Sequence, residues 1–274
     1  TALHIKGNID FSVGNIDHNG PVNIDGDVLP DFTVKATGTI TIAGNVQQAK
    51  IISEKDIHAN AVIEGKIESK GNIFLSYAKN STIFSYNDII IENYIINCIT
   101  HAEGKILANS NNGQIIGGEA FAHDTIKVNT AGSSNGTPTV LAAGYSSRVT
   151  QRLNEIEKEQ TKNFKSLGAI EKASKTIRRI MMLKRKNPPE LMKELDELTE
   201  MKDQVEKKVD SLVDEYEQIM EKITSSEDAK IIIYKTVYPG VTIRFPDNKK
   251  CITSNIENSI FHANSEGIVM QPAI

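Results

Sequence analysis

The sequence predicts a mainly β chain: a right-handed parallel β-helix, or solenoid, interrupted by a long antiparallel two-helix coiled-coil hairpin. Three observations lead there. Isoleucines recur at near-constant spacing through the first half of the chain, the apolar period changes from 2 to about 3.5 after residue 145, and strand-like segments resume after residue 226. The expected divisions are a solenoid over 1–145, a hairpin over 146–226, and C-terminal strands over 227–274 that complete or cap the solenoid.

The first part repeats one phrase, a small or polar turn residue, a spacer and then a β-branched residue. It reads Gly7-Asn8-Ile9, Gly26-Asp27-Val28, Gly38-Thr39-Ile40, Gly44-Asn45-Val46, Gly65-Lys66-Ile67, Gly71-Asn72-Ile73 and Gly104-Lys105-Ile106. Glycine and asparagine turn the chain readily, while Ile and Val favour strands. Ile24, Ile40, Ile57, Ile73, Ile89 and Ile106 follow one another at 16 or 17 residues, too short for a βαβ unit and suited to one circuit of short strands. Alternation then gives inward pairs: Val22 with Ile24, Ile40 with Ile42, Ile73 with Leu75, and Ile89 with Ile91. One coil cannot bury its apolar side alone, whereas stacking stabilises by roughly 1.5–3 kcal/mol per fully buried Ile or Val. Asn72, Asn87, Asn93, Asn109, Asn111 and Asn112 fall between these rows, where their amides are expected to satisfy backbone groups at the bends.

A left-handed hexapeptide coil, the scaffold of acyltransferases, is the competing geometry. Six-residue steps do occur, from Ile40 to Val46, Ile67 to Ile73 and Ile83 through Ile89 to Ile95, but they do not run on. Right-handed crossover is the general rule for parallel strands. Near Thr130–Pro138 composition signals a loop, and Thr139–Gly144 reads as the last strand before the helices.

In the first helical arm Val149, Leu153, Ile156, Phe164, Leu167, Ile170, Ile177 and Met181 step mostly by three and four. In the second, Leu191, Leu195, Leu198, Met201, Val205, Val209, Leu212, Tyr216, Ile219 and Ile223 do the same. Asn187-Pro188-Pro189-Glu190 ends one helix and opens the next. At 1.5 Å per residue each arm extends about 60 Å, longer than covering a solenoid face requires, so the hairpin is expected to project. Residues 148–186 carry 12 Lys or Arg against 4 Glu, and residues 190–222 carry 5 Lys against 12 Asp or Glu. Opposite arms therefore attract. Lys184, Arg185 and Lys186 are the least compensated cations and form the candidate partner-docking group.

After the hairpin, Ile231–Tyr234, Val241–Phe245 and Gly267–Met270 resume strand character. The Gly-x-Ile/Val repeats through 1–126, the coiled coil at 146–226 and the segment Val237-Tyr238-Pro239-Gly240-Val241-Thr242-Ile243 together resemble the β-solenoid domain of the bacterial flagellar assembly protein A family. The resemblance covers essentially the whole chain. It implies protein contacts connected with flagellar assembly and polar localisation, and it transfers no catalytic motif.

Composition narrows the function classes. With 31 basic and 35 acidic residues the net charge is −4, so the overall field does not favour nucleic acid or an anionic membrane. Two cysteines, Cys98 and Cys251, make neither a disulfide framework nor a metal knuckle, which suits a reducing cytoplasm. No run is apolar enough to span a bilayer. The chain opens on Thr1 rather than Met, which leaves an upstream segment open.

The six histidines, His4, His18, His58, His101, His123 and His262, show no metal spacing, and no cofactor motif is present; an approach of His101 and His123 across stacked coils is the alternative to the favoured reading, placement at ordinary surface turns. Asp25, Asp27, Asp31, Glu54, Asp56, Glu64 and Glu68 are candidates for a glycosidase-like groove, which needs two carboxylates at defined separation. The favoured function is a non-enzymatic scaffold with a protein partner and the hairpin as docking arm. The alternatives are a self-polymerising, bactofilin-like cytoskeletal element and a solenoid carbohydrate-active enzyme.

Overall fold

The structure, a computed structural model, describes residues 1–110, 112–144, 146–184, 188–223 and 229–273; the side chains of 147–151, 153, 154, 157, 184 and 219–223 fall outside that description. The chain divides into two compact units, Thr1–Ser147 with Ser226–Ile274, and Arg148–Ser225.

The first unit is a parallel β-solenoid of about eight turns. Each circuit contributes to three faces, and on each face an inward row runs the length of the stack. On face A the row is Leu3, Val22, Ile40, Ile57, Ile73, Ile89, Ile106, Ile126 and Ile231, each paired in register with the next. On face B it is Ile9, Val28, Val46, Val62, Ala78, Ile95, Ile115, Ala131 and Val237. On face C it is Ile16, Val34, Ile51, Ile67, Ile83, Thr100, Ala120, Leu141 and Ile243. From Val22 to Ile243 the aliphatic members of all three rows are fully buried. The core is therefore a stack of three-sided layers of small and β-branched side chains, which explains why so few aromatic rings suffice.

The register corrects one expectation. Val22, not Ile24, lies over Ile40, and Ile24 lies over Ile42. Both are inward, so spacing alone cannot choose between them. In the observed register the face A steps from Leu3 to Ile126 are 19, 18, 17, 16, 16, 17 and 20 residues. The strands keep register while the corners absorb the differences.

The corners are held by side chains that reach from one turn to the next. Where face A meets face B, Asn8 Oδ1 accepts from the Asp27 amide at 2.9 Å, and Asp27 Oδ1 accepts from the Asn45 amide at 2.7 Å. Where face C meets face A, Asp56, Asn72 and Asp88 accept in turn from the amides of Asn72, Asp88 and Lys105 at 2.7, 3.2 and 2.7 Å. Of the asparagines expected at bends, Asn72 is thus a ladder member, and aspartates supply most of the rest; Asn111 lies outside the described residues. These ladders also account for the glycine of the repeated phrase. A Cβ at Gly26, Gly44, Gly71 or Gly104 would collide with the Oδ1 of Asn8, Asp27, Asp56 or Asp88 in the turn before.

At the face C to face A corner, buried Ser53, Ser69 and Ser85 form a second ladder. Each hydroxyl donates to a carbonyl of the preceding turn (Gly38, Lys55 or Gly71) and accepts from an amide two residues on (Lys55, Gly71 or Asn87). Burying these hydroxyls is tolerated because donor and acceptor are both used. Thr100 is different. It sits fully buried in the face C row between Ile83 and Ala120, and its Oγ1 has no hydrogen-bond partner among the described residues.

After the hairpin, Lys230–Val237 pairs in parallel with Thr125–Ala131, and Val241–Phe245 with Thr139–Ala143. The chain then reverses. Asn248–Cys251 pairs antiparallel with Val241–Phe245, Ile256–Asn264 antiparallel with Lys230–Val237, and Gly267–Pro272 antiparallel with Ile256–Asn264. Phe261, fully buried over Ile231, closes the face A row.

The second unit comprises α1 (Ser147–Lys184) and α2 (Pro189–Ile223). Arg152 binds Glu215 through Nε–Oε1 at 2.6 Å and Nη2–Oε2 at 2.8 Å, and Lys208 Nζ lies 3.8 Å from Glu159. Residues seven apart on α1 thus meet residues seven apart in reverse order on α2, the signature of an antiparallel heptad pair. Ile156, Ile170, Ile177 and Leu212 are buried in this unit. Three expected seam members are exposed: Phe164 at 60 %, Met201 at 53 % and Tyr216 at 38 %. The heptad step from Ile156 to Ile170 and Ile177 passes through Asn163, whose Nδ2 is buried without a hydrogen-bond partner among the described residues, and Lys202 takes the half-buried position beside Met201. Val149, Leu153, Ile219 and Ile223 of the expected seam lie outside the described side chains.

Two stability outcomes follow. Gly104→Ala is expected to lower the midpoint of urea unfolding, and Asp88→Ala to lower it by losing a cap, while the double variant loses less than the sum because removing Asp88 opens the space that the new methyl needs. Thr100→Val, which keeps the shape and deletes an unsatisfied hydroxyl, is expected to stabilise by about 1 kcal/mol; thermal and urea unfolding check both.

Candidate interaction surfaces

On the solenoid, alternation turns every second residue of a strand outward, and register stacks these residues along the axis. His58 stacks on Phe74 with ring centroids 4.4 Å apart and planes 3° from parallel, His101 on Phe121 at 4.7 Å and 8°, and Tyr77 lies 5.0 Å from Tyr94. These are neighbouring turns in register. The rings use their faces on one another. His101 thus spends one ring face on Phe121 of the neighbouring turn.

Burial lowers the His101 pKa from its ordinary value, partly offset by the carboxylates of Glu119 and Glu103, and its Nδ1 is buried without a partner among the described residues. Of the other histidines, His4 lies 2.8 Å from Asp25, and His18 contacts the Thr1 carbonyl at 3.1 Å. Among the described residues no three His, Cys, Asp or Glu side chains are grouped to hold a metal.

Five of the seven acidic candidates are spent on local structure. Asp25 meets His4, Asp27 and Asp56 cap backbone amides, Glu54 pairs with Lys70 at 2.7 Å, and Glu64 accepts from Gln48 at 2.6 Å. Asp31 and Glu64 also stand at corners with left-handed backbone, at φ 71° and 53°. A shallow depression on face A is lined by His58, Phe74, Asn60, Ser76 and Glu92. Its one carboxylate, Glu92, accepts from Ser76 at 3.0 Å, so the depression does not bring together the carboxylate pair that glycoside cleavage uses. Cys98 is buried, with its thiol held between the Ser81 amide and the Ile96 carbonyl, and burial pushes it up to about 11. Such a thiol is a poor nucleophile at neutral pH.

The hairpin carries the other surface. Cross-arm ion pairs are Arg152 with Glu215 and Lys208 with Glu159. Further along α1, Lys172, Lys175, Arg178 and Arg179 are exposed and make no ion pair among the described residues. Beyond them Met182 and Leu183 are 78 % and 76 % exposed. Of the candidate docking group, Arg185 and Lys186 lie outside the described residues, as does the side chain of Lys184.

Residues 1–268 match the family described as Flagellar Assembly Protein A beta solenoid domain. The chain belongs to the flagellar assembly protein A family. No curated protein and no solved structure matches it. Membership of the flagellar assembly protein A family points to a role related to flagellar assembly. No helix among the described residues is long and apolar enough to cross a membrane. Sequence reasoning on this flagellar assembly protein A chain found the basic stretch of the hairpin. It missed the exposed Met182–Leu183 pair, because a helical apolar step does not say which apolar residues a single partner helix can cover.

His101 makes the stability of the chain pH-dependent in a definite direction. Its folded-state pKa lies below the ordinary 6.5, so as pH falls through about 6.5 the unfolded chain takes up a proton that the folded chain resists, and stability is lost. His101→Phe, which keeps a ring against Phe121, is expected to shrink the fall in melting temperature between neutral and mildly acidic pH. Parallel melting series of the two proteins check it.

Proposed function

We propose that the chain is a non-enzymatic scaffold, or protein-interaction module, of flagellar assembly, in which residues 1–145 and 227–274 form the rigid body and 146–226 form a docking arm. The supporting observation is topological. The step from face C to face A is made by Tyr86–Asp88 after the strand Thr82–Ser85, and by His123 and Asp124 after Gln114–Ala122. After Thr139–Ala143 the same step, to Lys230–Val237, takes the whole helical hairpin. Two or three residues suffice to close that corner, so the additional residues serve something other than the closure. Surface apolar residues and unpaired cations on the arm suit contact with another macromolecule.

The partner in this proposal is a protein, with Lys184, Arg185 and Lys186 among the contacts, and the chain works in the cytoplasm with recruitment to the pole or membrane through that partner. The test replaces 147–225 by a three-residue turn and compares affinity capture from the native cell with the intact chain. The expected outcome is a folded solenoid, with β-type circular dichroism and cooperative melting, that has lost specific partners. Identical capture sets would place the interaction surface on the solenoid instead, and filaments persisting after the deletion would favour the self-polymerising alternative.

A further inference from the structure

The distal part of α1 combines two properties that neither helix pairing nor solubility explains. From Lys172 to Pro189 the sequence has seven Lys or Arg and no Asp or Glu. Four of these, Lys172, Lys175, Arg178 and Arg179, are exposed without ion pairs among the described residues. The negative end of the helix dipole accounts for cations in the last turn, but these stand up to three turns before the helix end.

The second property is apolar exposure at the same place. Ile180, Met181, Met182 and Leu183 are consecutive. Successive helical residues point about 100° apart, so four in a row encircle the helix. The single helix α2 covers one side, leaving Met182 and Leu183 more than three-quarters exposed, and Met192, early in α2, is 47 % exposed. A protein groove takes one stripe of a helix. A lipid surface has no fixed shape and accepts apolar side chains that point in different directions.

We propose that this end of the hairpin binds anionic lipid surfaces directly, with Arg178 and Arg179 on the headgroups and Met182 and Leu183 entering the interfacial layer. The charge is complementary despite the net −4 of the chain. The eight cations of this stretch and the opening of α2, Lys193 included, outnumber Glu190, Glu194, Asp196 and Glu197 two to one. Screening confines the relevant field to about 10 Å, so the local balance governs. Basic residues beside exposed apolar side chains are the usual composition of interfacial binding segments. The role goes beyond protein docking by the arm and does not require it.

The test is flotation of the full chain with vesicles of phosphatidylcholine alone and with about one-third phosphatidylglycerol added. Binding is expected with the anionic vesicles only, falling with added salt. Arg178→Gln with Arg179→Gln is expected to weaken it at least about tenfold, and Met182→Ser with Leu183→Ser to weaken it while raising its sensitivity to salt, with helical circular dichroism unchanged in both. No flotation, equal flotation with neutral vesicles, or binding that ignores both pairs of substitutions would overturn the proposal. So would arginine-dependent binding of a duplex oligonucleotide with vesicles left unbound. Hairpin-dependent protein capture without flotation would reject the lipid role and leave the docking reading standing.

Discussion

Every turn of this solenoid must place its backbone one strand spacing, about 4.8 Å, from the turn before it and the turn after it. That constraint dictates what each position tolerates. An inward residue meets a side chain of the same row above and below, so β-branched and small residues that stack in one rotamer are favoured, and Ile89 finds Ile73 on one side and Ile106 on the other. A corner residue meets another corner, so an Asx side chain in one turn requires that the neighbouring turn leave room. Asp88 and Gly104 are two halves of one solution: the carboxylate reaches the Lys105 amide only because Gly104 has no Cβ.

This coupling explains what was legible in the sequence. The isoleucine rows were visible because stacking repeats the same demand once per circuit, and the change of period marked the helices. The first step was misregistered because Val22 and Ile24 both face inward, and the 18-residue circuit to Ile40 depends on corner geometry rather than on alternation. Corner ladders were only half visible: Asn72 was recognised, but Asp27, Asp56 and Asp88 resemble ordinary surface acids until the amide each one caps is known. The strands Asn248–Cys251 and Ile256–Asn264 were missed since their polar residues, among them Lys249, Lys250, Asn258 and Ser259, hide the alternation.

In the hairpin, periodicity located the arms and misassigned Phe164 and Met201. Each stands next to a seam position filled by a polar residue, Asn163 or Lys202, so a rule that seeks apolar side chains moves one step off the seam. A polar residue in such a seam sacrifices some packing and penalises shifted registers, where it would face a different layer. The candidate docking surface was legible as charge and not as shape: the basic stretch can be read from the chain, whereas exposure of Met182 and Leu183 depends on how much of α1 one partner helix covers.

The reversal of chain direction after residue 245 has a consequence for assembly. A parallel stack carries its hydrogen-bonding pattern forward, so any identical molecule arriving in line could adopt the next rung. Here the strand laid on the last parallel rung, Ile256–Asn264, runs opposite to the face A strands, and Gly267–Pro272, which pairs with it and reverses again, ends on a proline with no amide to offer. In place of a bare parallel rung, that end of the stack carries an antiparallel ribbon with a proline in its edge strand. Lengthening of the stack by simple repetition of its parallel rungs is thus interrupted at Lys230–Val237, where an antiparallel partner takes the open edge.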